Sequence, residues 1–259
     1  MTATSESSST GRLPRMILLD AVGTVIYPQP SVAQVYAEVG RRFGSQISES
    51  QIAKRFQSTF DKAFRRQPAL GDAADSEAGE RFERERWRSV VQSVLEDVPE
   101  AGGEPFELLW DHFARPHSWR VIDDAALLIE ALQRWRIPFG IASNFDRRLY
   151  PIMEALCGID ERNVFVSSVL GAMKPEDEFY RRALRRLNLV ADDVLMIGDD
   201  WTKDFDAARR AGLKACCVRR SVREQPRVSP RIDQPPSPIG SLSELIPWFQ
   251  TRIPTGNTV

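Results

Sequence analysis

The sequence predicts an α/β fold: a doubly wound parallel sheet with an all-helical segment inserted after its first strand. Three observations predict it. Short apolar runs alternate with amphipathic helical patterns through the second half of the chain, and such alternation builds a parallel sheet with right-handed crossovers. The long stretch between the first two runs has helical periodicity and no strand signal. Acidic, hydroxyl and lysine residues stand where the runs end, and in a parallel sheet that edge is where ligands bind.

The runs read as strands are Met16 to Leu19, Pro138 to Ala142, Val164 to Ser167, Val194 to Ile197 and Lys214 to Val218. The helical patterns "DRRLYPIMEALCG", "DEFYRRALRRLNL" and "TKDFDAARRAG" follow the second, third and fourth. Leu149, Ile152, Met153 and Leu156 share one helix face ahead of Gly158. Gly212 ends another helix, as a glycine just past the last turn does.

The inserted stretch holds four amphipathic patterns. Val32, Val35, Tyr36, Val39 and Phe43 mark the first, and Ile52, Phe56, Phe60 and Phe64 the second, which the capping box Ser48-x-x-Gln51 opens. Trp87, Val90, Val91, Val94 and Leu95 mark the third, and Phe106, Leu109, Trp110 and Phe113 the fourth. The aromatics are expected to form the insert's own small core, not a ligand pocket. The stretch "RQPALGDAADSEAGE" reads as a loop or a helix start. The expected division is a disordered tail at 1–11, a core of 12–28 and 121–250, and a helical cap at 29–120. Within the core, 221–240 reads as a Pro/Arg-rich surface loop, because its prolines forbid a regular element. "SLSELIPWF" then gives a short final helix.

Composition narrows the class. The 259 residues suffice for one large domain or a core with an inserted subdomain, and 42% hydrophobic with 27% charged residues fits a soluble globular protein. Lys+Arg (35) balances Asp+Glu (36), so the surface as a whole gives no reason to expect nucleic acid or membrane as partner. No apolar run approaches the roughly 18 residues that span a bilayer. "MTATSESSSTG" lacks the apolar centre of a signal peptide. Three cysteines without regular spacing argue for a reducing, cytoplasmic location. Cys216 and Cys217 on one strand would point to opposite faces; they read as small buried apolar residues, with a redox pair as the alternative. His112 and His117 flank Pro116 with no metal pattern, and read as hinge or surface positions.

The strand ends deliver a consistent set. The first gives Asp20, with Thr24 in the next turn; the second gives Ser143 and Asn144. Lys174 follows the third, and Asp199, Asp200 and then Asp204 follow the fourth. Asp20, Asp199 and Asp204 cannot all ionise side by side without a cation, and an all-oxygen set suits Mg²⁺. Thr24, Ser143, Asn144 and Lys174 supply the donors and positive charge that a transferring phosphoryl group requires. A carboxylate attacking phosphorus gives an aspartyl-phosphate.

Taken in order, "DAVGT", "SN", "KP" and "GDDWTKD" resemble the motifs of the haloacid dehalogenase (HAD) superfamily, in the branch whose helical cap follows the first strand of a Rossmann-like core. The resemblance runs from Arg15 to about Phe249. "VYAEVGRRFG", "SNFDRRL" and "GAMKPEDEFYRRAL" look more particularly like the haloacid-dehalogenase-like hydrolase domain-containing proteins. The resemblance implies that Asp20 is the nucleophile and that Asp20, Asp199 and the backbone carbonyl of Val22 ligate Mg²⁺. It implies that Thr24, Ser143, Asn144 and Lys174 hold the phosphoryl group and that Lys174 restrains Asp20. Asp204 would support the metal through water or lysine. Asp200 would either support it too or cap the following helix. The implied partner is a small phosphorylated metabolite, met by a monomer or homodimer.

One residue departs from the pattern. Phosphatases of this superfamily usually have Asp two residues after the nucleophile, an acid/base worth typically about 10²–10⁴-fold, and this chain has Val22. One reading is a phosphatase of acyl phosphates, anhydrides or aryl phosphates, or one with a substitute acid from the cap or Asp200. A second is a dehalogenase, which tolerates an apolar residue there but lacks the acidic pair this chain keeps; its cousin, a phosphonate-type hydrolase, needs a cap lysine, here Lys54 or Lys62. A third is a non-enzymatic binding protein. Arg41 and Arg42 are expected to reach an anionic substrate across the cleft. Trp201 is expected to line the site or pack under the cap. The basic runs "RRLYP", "YRRALRRL" and "VRRSVR" read as solvated faces.

Overall fold

β1 (Met16–Leu19) is buried at every residue, as a strand covered on both faces requires. The structure, a computed structural model, describes residues 12–64, 76–220 and 235–253. The expected tail at 1–11 and most of the 221–240 loop lie outside the described residues. After a tight turn come β2 (Ile26–Pro28) and four helices: α1 (Val32–Arg42), α2 (Glu49–Ala63), α3 (Ser76–Val94) and α4 (Glu104–Ala114). α1 and α2 both start with a reciprocal capping box, Ser31 with Gln34 and Ser48 with Gln51. β3 (Trp119–Val121) returns antiparallel to β2, setting Ile26 opposite Val121.

Then follow α5 (Asp123–Arg134), β4 (Phe139–Ser143), α6 (Leu149–Cys157), β5 (Val164–Val166), α7 (Ser167–Leu170) and α8 (Asp177–Leu187). β6 (Val194–Gly198) leads through a π-helical turn at Trp201–Asp206 into α9 (Ala207–Arg210), β7 (Lys214–Cys217) and finally α10 (Leu245–Gln250). The main sheet is parallel in the order β5-β4-β1-β6-β7.

Period two along β1 sorts the core into two layers. Ile17 and Leu19 face a cluster with Leu128 of α5, Ile152 of α6 and Phe249 of α10. Met16 and Leu18 face Phe179 of α8 and Ala207 of α9. Helices therefore cover both faces, and the sheet is doubly wound. α1–α4 gather a third cluster around Val35, Ile52, Val91, Leu95 and Phe106. This cap meets the core at the β2–β3 ribbon, again where Glu80 of α3 accepts hydrogen bonds from the Ser168 hydroxyl and the Arg147 N–H, and again where Arg148 packs on Trp110 of α4.

Three readings need correction. The β2–β3 ribbon carries no visible sequence signal, because three residues are too few to show alternation. α5 stands where the sequence reading has no element, although Ala125, Leu128, Ile129 and Leu132 are buried at helical spacing. The pattern "TKDFDAARRAG" opens as a π turn, not an α-helix. Cys216 packs in the core cluster while Cys217 lies on the other side of β7 near the Asp199 carbonyl; both are free and buried, as the apolar reading has it. No helix among the described residues is long and apolar enough to cross a membrane.

Asp124, at the start of α5, ties the C-terminal segment to the site. Its carboxylate accepts from Arg220 (2.7 Å), the Ser241 hydroxyl (3.0 Å) and the Leu242 N–H (2.9 Å). Arg220 in turn donates to the carbonyls of Gly23 (2.6 Å) and Thr24 (2.9 Å). Burial would raise the Asp124 carboxyl, but these bonds outweigh it and hold it below the usual carboxylate range. A depressed folded-state value gives stability that is present above the unfolded carboxylate value of about 3.9 and is lost as pH falls through the folded one. The melting difference between wild type and Asp124→Asn is therefore expected to be full at pH 6 and to shrink below about pH 4. A difference that stays constant down to pH 2.5 would show that the charge of Asp124 does not contribute.

Candidate active site

The carboxyl ends of β1, β4 and β6 meet at one point. Asp20 leaves β1 with its N–H bonded to the Ile197 carbonyl of β6 (2.9 Å). The next turn closes through the Val25 and Ile26 N–H groups on the Ala21 carbonyl. Gly23 has φ +92, and a Cβ there would lie 2.6 Å from Asp199 Oδ2, so the turn needs glycine twice over. Thr24, fully buried, donates its hydroxyl to Asp199 Oδ1 at 3.0 Å.

Lys174 arrives from the loop before α8. The Asn144 side chain brackets its backbone, donating to the Lys174 carbonyl (2.7 Å) and accepting from its N–H (2.8 Å). The ammonium, buried, donates to Asp20 Oδ1 (2.7 Å), the Ala142 carbonyl (2.9 Å) and Asp204 Oδ1 (2.5 Å). Burial alone would lower the lysine, but the charges of Asp20 and Asp204 outweigh it and hold it above the usual range. Asp204 sits in the π turn, its other oxygen accepting from the Asp200 N–H (3.1 Å). Gly198 makes room for it, since a Cβ there would lie 2.2 Å from the Asp204 carboxylate.

One oxygen from each of Asp20, Asp199 and Asp204 can be chosen so that all lie within 4.8 Å of one another. Burial pushes Asp204 up to about 7 against the pull of Lys174. Burial and the charge of Asp20 also raise Asp199, against the Thr24 hydrogen bond. One ammonium therefore leaves this group short of positive charge. A hard divalent cation fits such a set of oxygens.

Asp20, Val22, Ser143, Asn144, Lys174, Asp199, Asp200 and Asp204 all line one cavity of about 370 Å³. Thr24 does not; it orients the Asp199 carboxylate from beneath, where the sequence reading had it hold a phosphoryl group. Asn144 likewise spends its amide on Lys174. Asp200 is the cap of the π turn, accepting from the Thr202 and Lys203 N–H groups (2.9 Å each) and pairing with the Lys203 ammonium (3.0 Å). It lies outside the acid trio, so its second expected role, metal support, has no geometry behind it.

The cap corrects the reading further. The cap aromatics serve twice: Tyr36, Phe56, Phe64, Trp87 and Phe113 belong to or pack against the cap cluster, as the sequence reading has it, and together with Phe60 they also line the cavity, which that reading excludes. Arg41 and Arg42 do not reach it: both are exposed, Arg41 bonding the Ala37 carbonyl and Arg42 pairing with Glu38. Arg148, read within a solvated basic run, does line it. Its guanidinium forks onto Asp146 (2.8 and 2.7 Å) and lies over the Trp110 ring at 3.4 Å. Lys54 and Lys62 are exposed on α2, away from the cavity lining. Trp201 lines an adjoining open groove with Asp199 and Arg219, stacked on Phe205 at 4.2 Å. His112 lies on α4 and His117 in the turn leading to β3, beside the hinge ribbon.

An acid trio with one buried lysine, at the strand ends of a doubly wound sheet and under a helical cap, defines a hydrolase architecture. A model of the haloacid dehalogenase-like hydrolase family matches residues 14–212, and the chain belongs to that family. It is 25% identical over 242 residues to haloacid dehalogenase-like hydrolase domain-containing protein 3 of Danio rerio, covering 90% of this chain and 96% of that one. It is 24% identical over 247 residues to the phosphoserine phosphatase of Thermus thermophilus, covering 89% and 97%. Its fold is similar to that of the HAD-hydrolase YfnB of Bacillus subtilis, solved bound to magnesium, with a TM-score of 0.68 at 19% identity, covering 93% and 99%.

Proposed function

We propose that the chain is a Mg²⁺-dependent phosphatase acting on a small phosphorylated metabolite through an aspartyl-phosphate at Asp20. The observation that carries this is the Lys174 ammonium bridging Asp20 and Asp204 beside Asp199 at the floor of the cavity. Mg²⁺ would be held by Asp20, Asp199 and the Val22 carbonyl, with Asp204 in support, and would neutralise charge on the phosphoryl oxygens.

Lys174 fixes Oδ1 of Asp20, which assigns the attack to Oδ2. That oxygen forms a bond to phosphorus while the bond from phosphorus to the leaving oxygen breaks, its electron pair going to that oxygen. Water then attacks the same phosphorus, the Asp20 carboxylate departs, and the proton of the water passes to solvent. Ser143 lines the cavity as a hydroxyl donor for the phosphoryl oxygens. The cap closes over these groups and excludes bulk water.

Val22 lines the cavity beside Asp20 with 40% of its surface exposed and no proton to give. Leaving groups that depart as anions are therefore favoured. Val22→Asp is expected to raise kcat on alkyl phosphates by on the order of 10²-fold. No rise would show that another group already protonates the leaving oxygen. The cap lysines that a phosphonate-type mechanism needs lie outside the cavity, which removes support from that reading.

The direct test is phosphate release from acetyl phosphate and phenyl phosphate with Mg²⁺ and with EDTA. Release with Mg²⁺ alone is expected. No release from either would leave a binding protein, and metal-independent halide release from a haloacid would make the chain a dehalogenase.

A further inference from the structure

The cap side of the cavity is a wall of rings. Phe56 and Phe60 of α2 and Phe64, its C-cap, recur every four residues and so share one face. Phe60 stacks on Phe56 at 5.8 Å and on Phe64 at 4.3 Å, with interplanar angles of 23° and 25°. Trp87 of α3 closes on all three, at 6.3, 5.9 and 5.3 Å from Phe56, Phe60 and Phe64. These rings are half-buried, so part of each remains open to the cavity. Val32 and the side chain of Val22 continue the apolar surface down to Asp20.

Charge is arranged differently. The cations lining the cavity already face carboxylates: Lys174 faces Asp20 and Asp204, Lys203 faces Asp200 and Arg148 faces Asp146. Among the described residues the cap lines the cavity with no charged side chain; Gln57, Tyr36 and Trp87 are the lining residues there that carry a polar group. Among the described residues, a carboxylate on the distal part of a substrate would meet no cation of the cavity lining without a carboxylate partner. The three phenylalanines stack as a ladder, with Trp87 tilted 44° and 58° against Phe60 and Phe64; that leaves ring edges and the indole along one side of the cavity, open to edge and offset contacts with another ring, and not an enclosing cage of the kind that binds a quaternary ammonium.

We propose that the cavity selects phosphate monoesters whose leaving group is an uncharged planar aromatic alcohol, phenolic or naphtholic in kind. This rests on the phosphatase reading above and narrows it. The chemistry agrees with the shape. A phenol ionises near 10, as tyrosine does, and water only at about 15.7. An aryloxide therefore leaves without the acid that Val22 replaces. Asp20 Oδ2 bonds to phosphorus, the phosphorus–aryl oxygen bond breaks with its electron pair on the aryl oxygen, and solvent protonates the aryloxide. Hydrolysis of the Asp20 ester by water returns the carboxylate and releases phosphate. The net reaction consumes one water and gives one phenol and one phosphate.

Aryl esters are intrinsically more reactive than alkyl esters, so binding must be separated from reactivity. Calorimetry on the full chain with Mg²⁺ would compare 1-naphthylmethylphosphonate with its saturated decalin counterpart, neither of which can be hydrolysed. The aromatic compound is expected to bind about tenfold tighter, the factor that about 1.4 kcal/mol of ring contact gives. Phe60→Ala should erase most of that preference and Phe60→Tyr should keep it. If Phe60→Ala does not fold, quenching of Trp fluorescence in the wild type by the naphthyl compound, and not by the decalin one, carries the same information. Equal affinities, or tighter binding of a choline phosphonate, would overturn the inference. Acetyl phosphate hydrolysed under Mg²⁺ alongside equal affinities would defeat this inference alone. Acetyl and naphthyl phosphates both left intact would defeat the phosphatase reading, and this one with it.

Discussion

Asp20→Asn should lower Mg²⁺-dependent phosphate release from phenyl phosphate by on the order of 10⁴-fold or more, because an amide oxygen is a far poorer nucleophile than a carboxylate. The fold should survive the change. Lys174 keeps its bonds to Asp204 and the Ala142 carbonyl, and the new side chain can still accept from it through Oδ1. One negative charge also leaves a cluster in which three acids share one ammonium. The melting temperature is therefore expected to equal or exceed that of the wild type. A variant that retains more than about a tenth of wild-type kcat would move the nucleophile away from Asp20.

Lys174→Met is expected to do the opposite to stability. It removes the one ammonium that Asp20 and Asp204 share, in a place where the lysine is 2% exposed. Leaving a buried pair without its cation costs about 3–5 kcal/mol. In a chain of this size that corresponds to a fall of about 10 °C in melting temperature. Because the residual charge is negative, added Mg²⁺ should recover more stability in the variant than in the wild type. Thermal scans with and without Mg²⁺ check both points. A variant that melts with the wild type in EDTA would mean that the two aspartates are not ionised together in the folded state.

What was legible in the sequence was what short apolar runs, helical periodicity and strand ends can carry. β1 reads as a strand because Met16, Ile17, Leu18 and Leu19 form a short apolar run bounded by polar residues, the pattern of a strand covered on both faces. Asp20, Lys174, Asp199 and Asp204 could be gathered because each follows a strand of the parallel sheet. What failed was what depends on the neighbour across space. Periodicity puts Phe56, Phe60 and Phe64 on one face with Ile52, but it does not say that Ile52 is sealed in the cap core while the phenylalanines also reach the cleft. Arg147 and Arg148 look alike in "DRRLYP", yet only Arg148 finds Trp110 and the cavity. The bond from Thr24 to Asp199 is not legible either, because the burial of Thr24 depends on how the turn folds back under Asp199.

The second attachment of the cap has a consequence for timing. A lid hinged only at the β2–β3 ribbon could swing freely, but Glu80 also fastens α3 to Ser168 and to the Arg147 backbone on the core side. Opening must break those bonds at the far edge while the hinge bends at the near one. The Arg148 guanidinium, seated over Trp110 of α4, must part as well; on the phosphatase reading, escape of the spent alcohol from beneath the rings would wait on these few contacts letting go together.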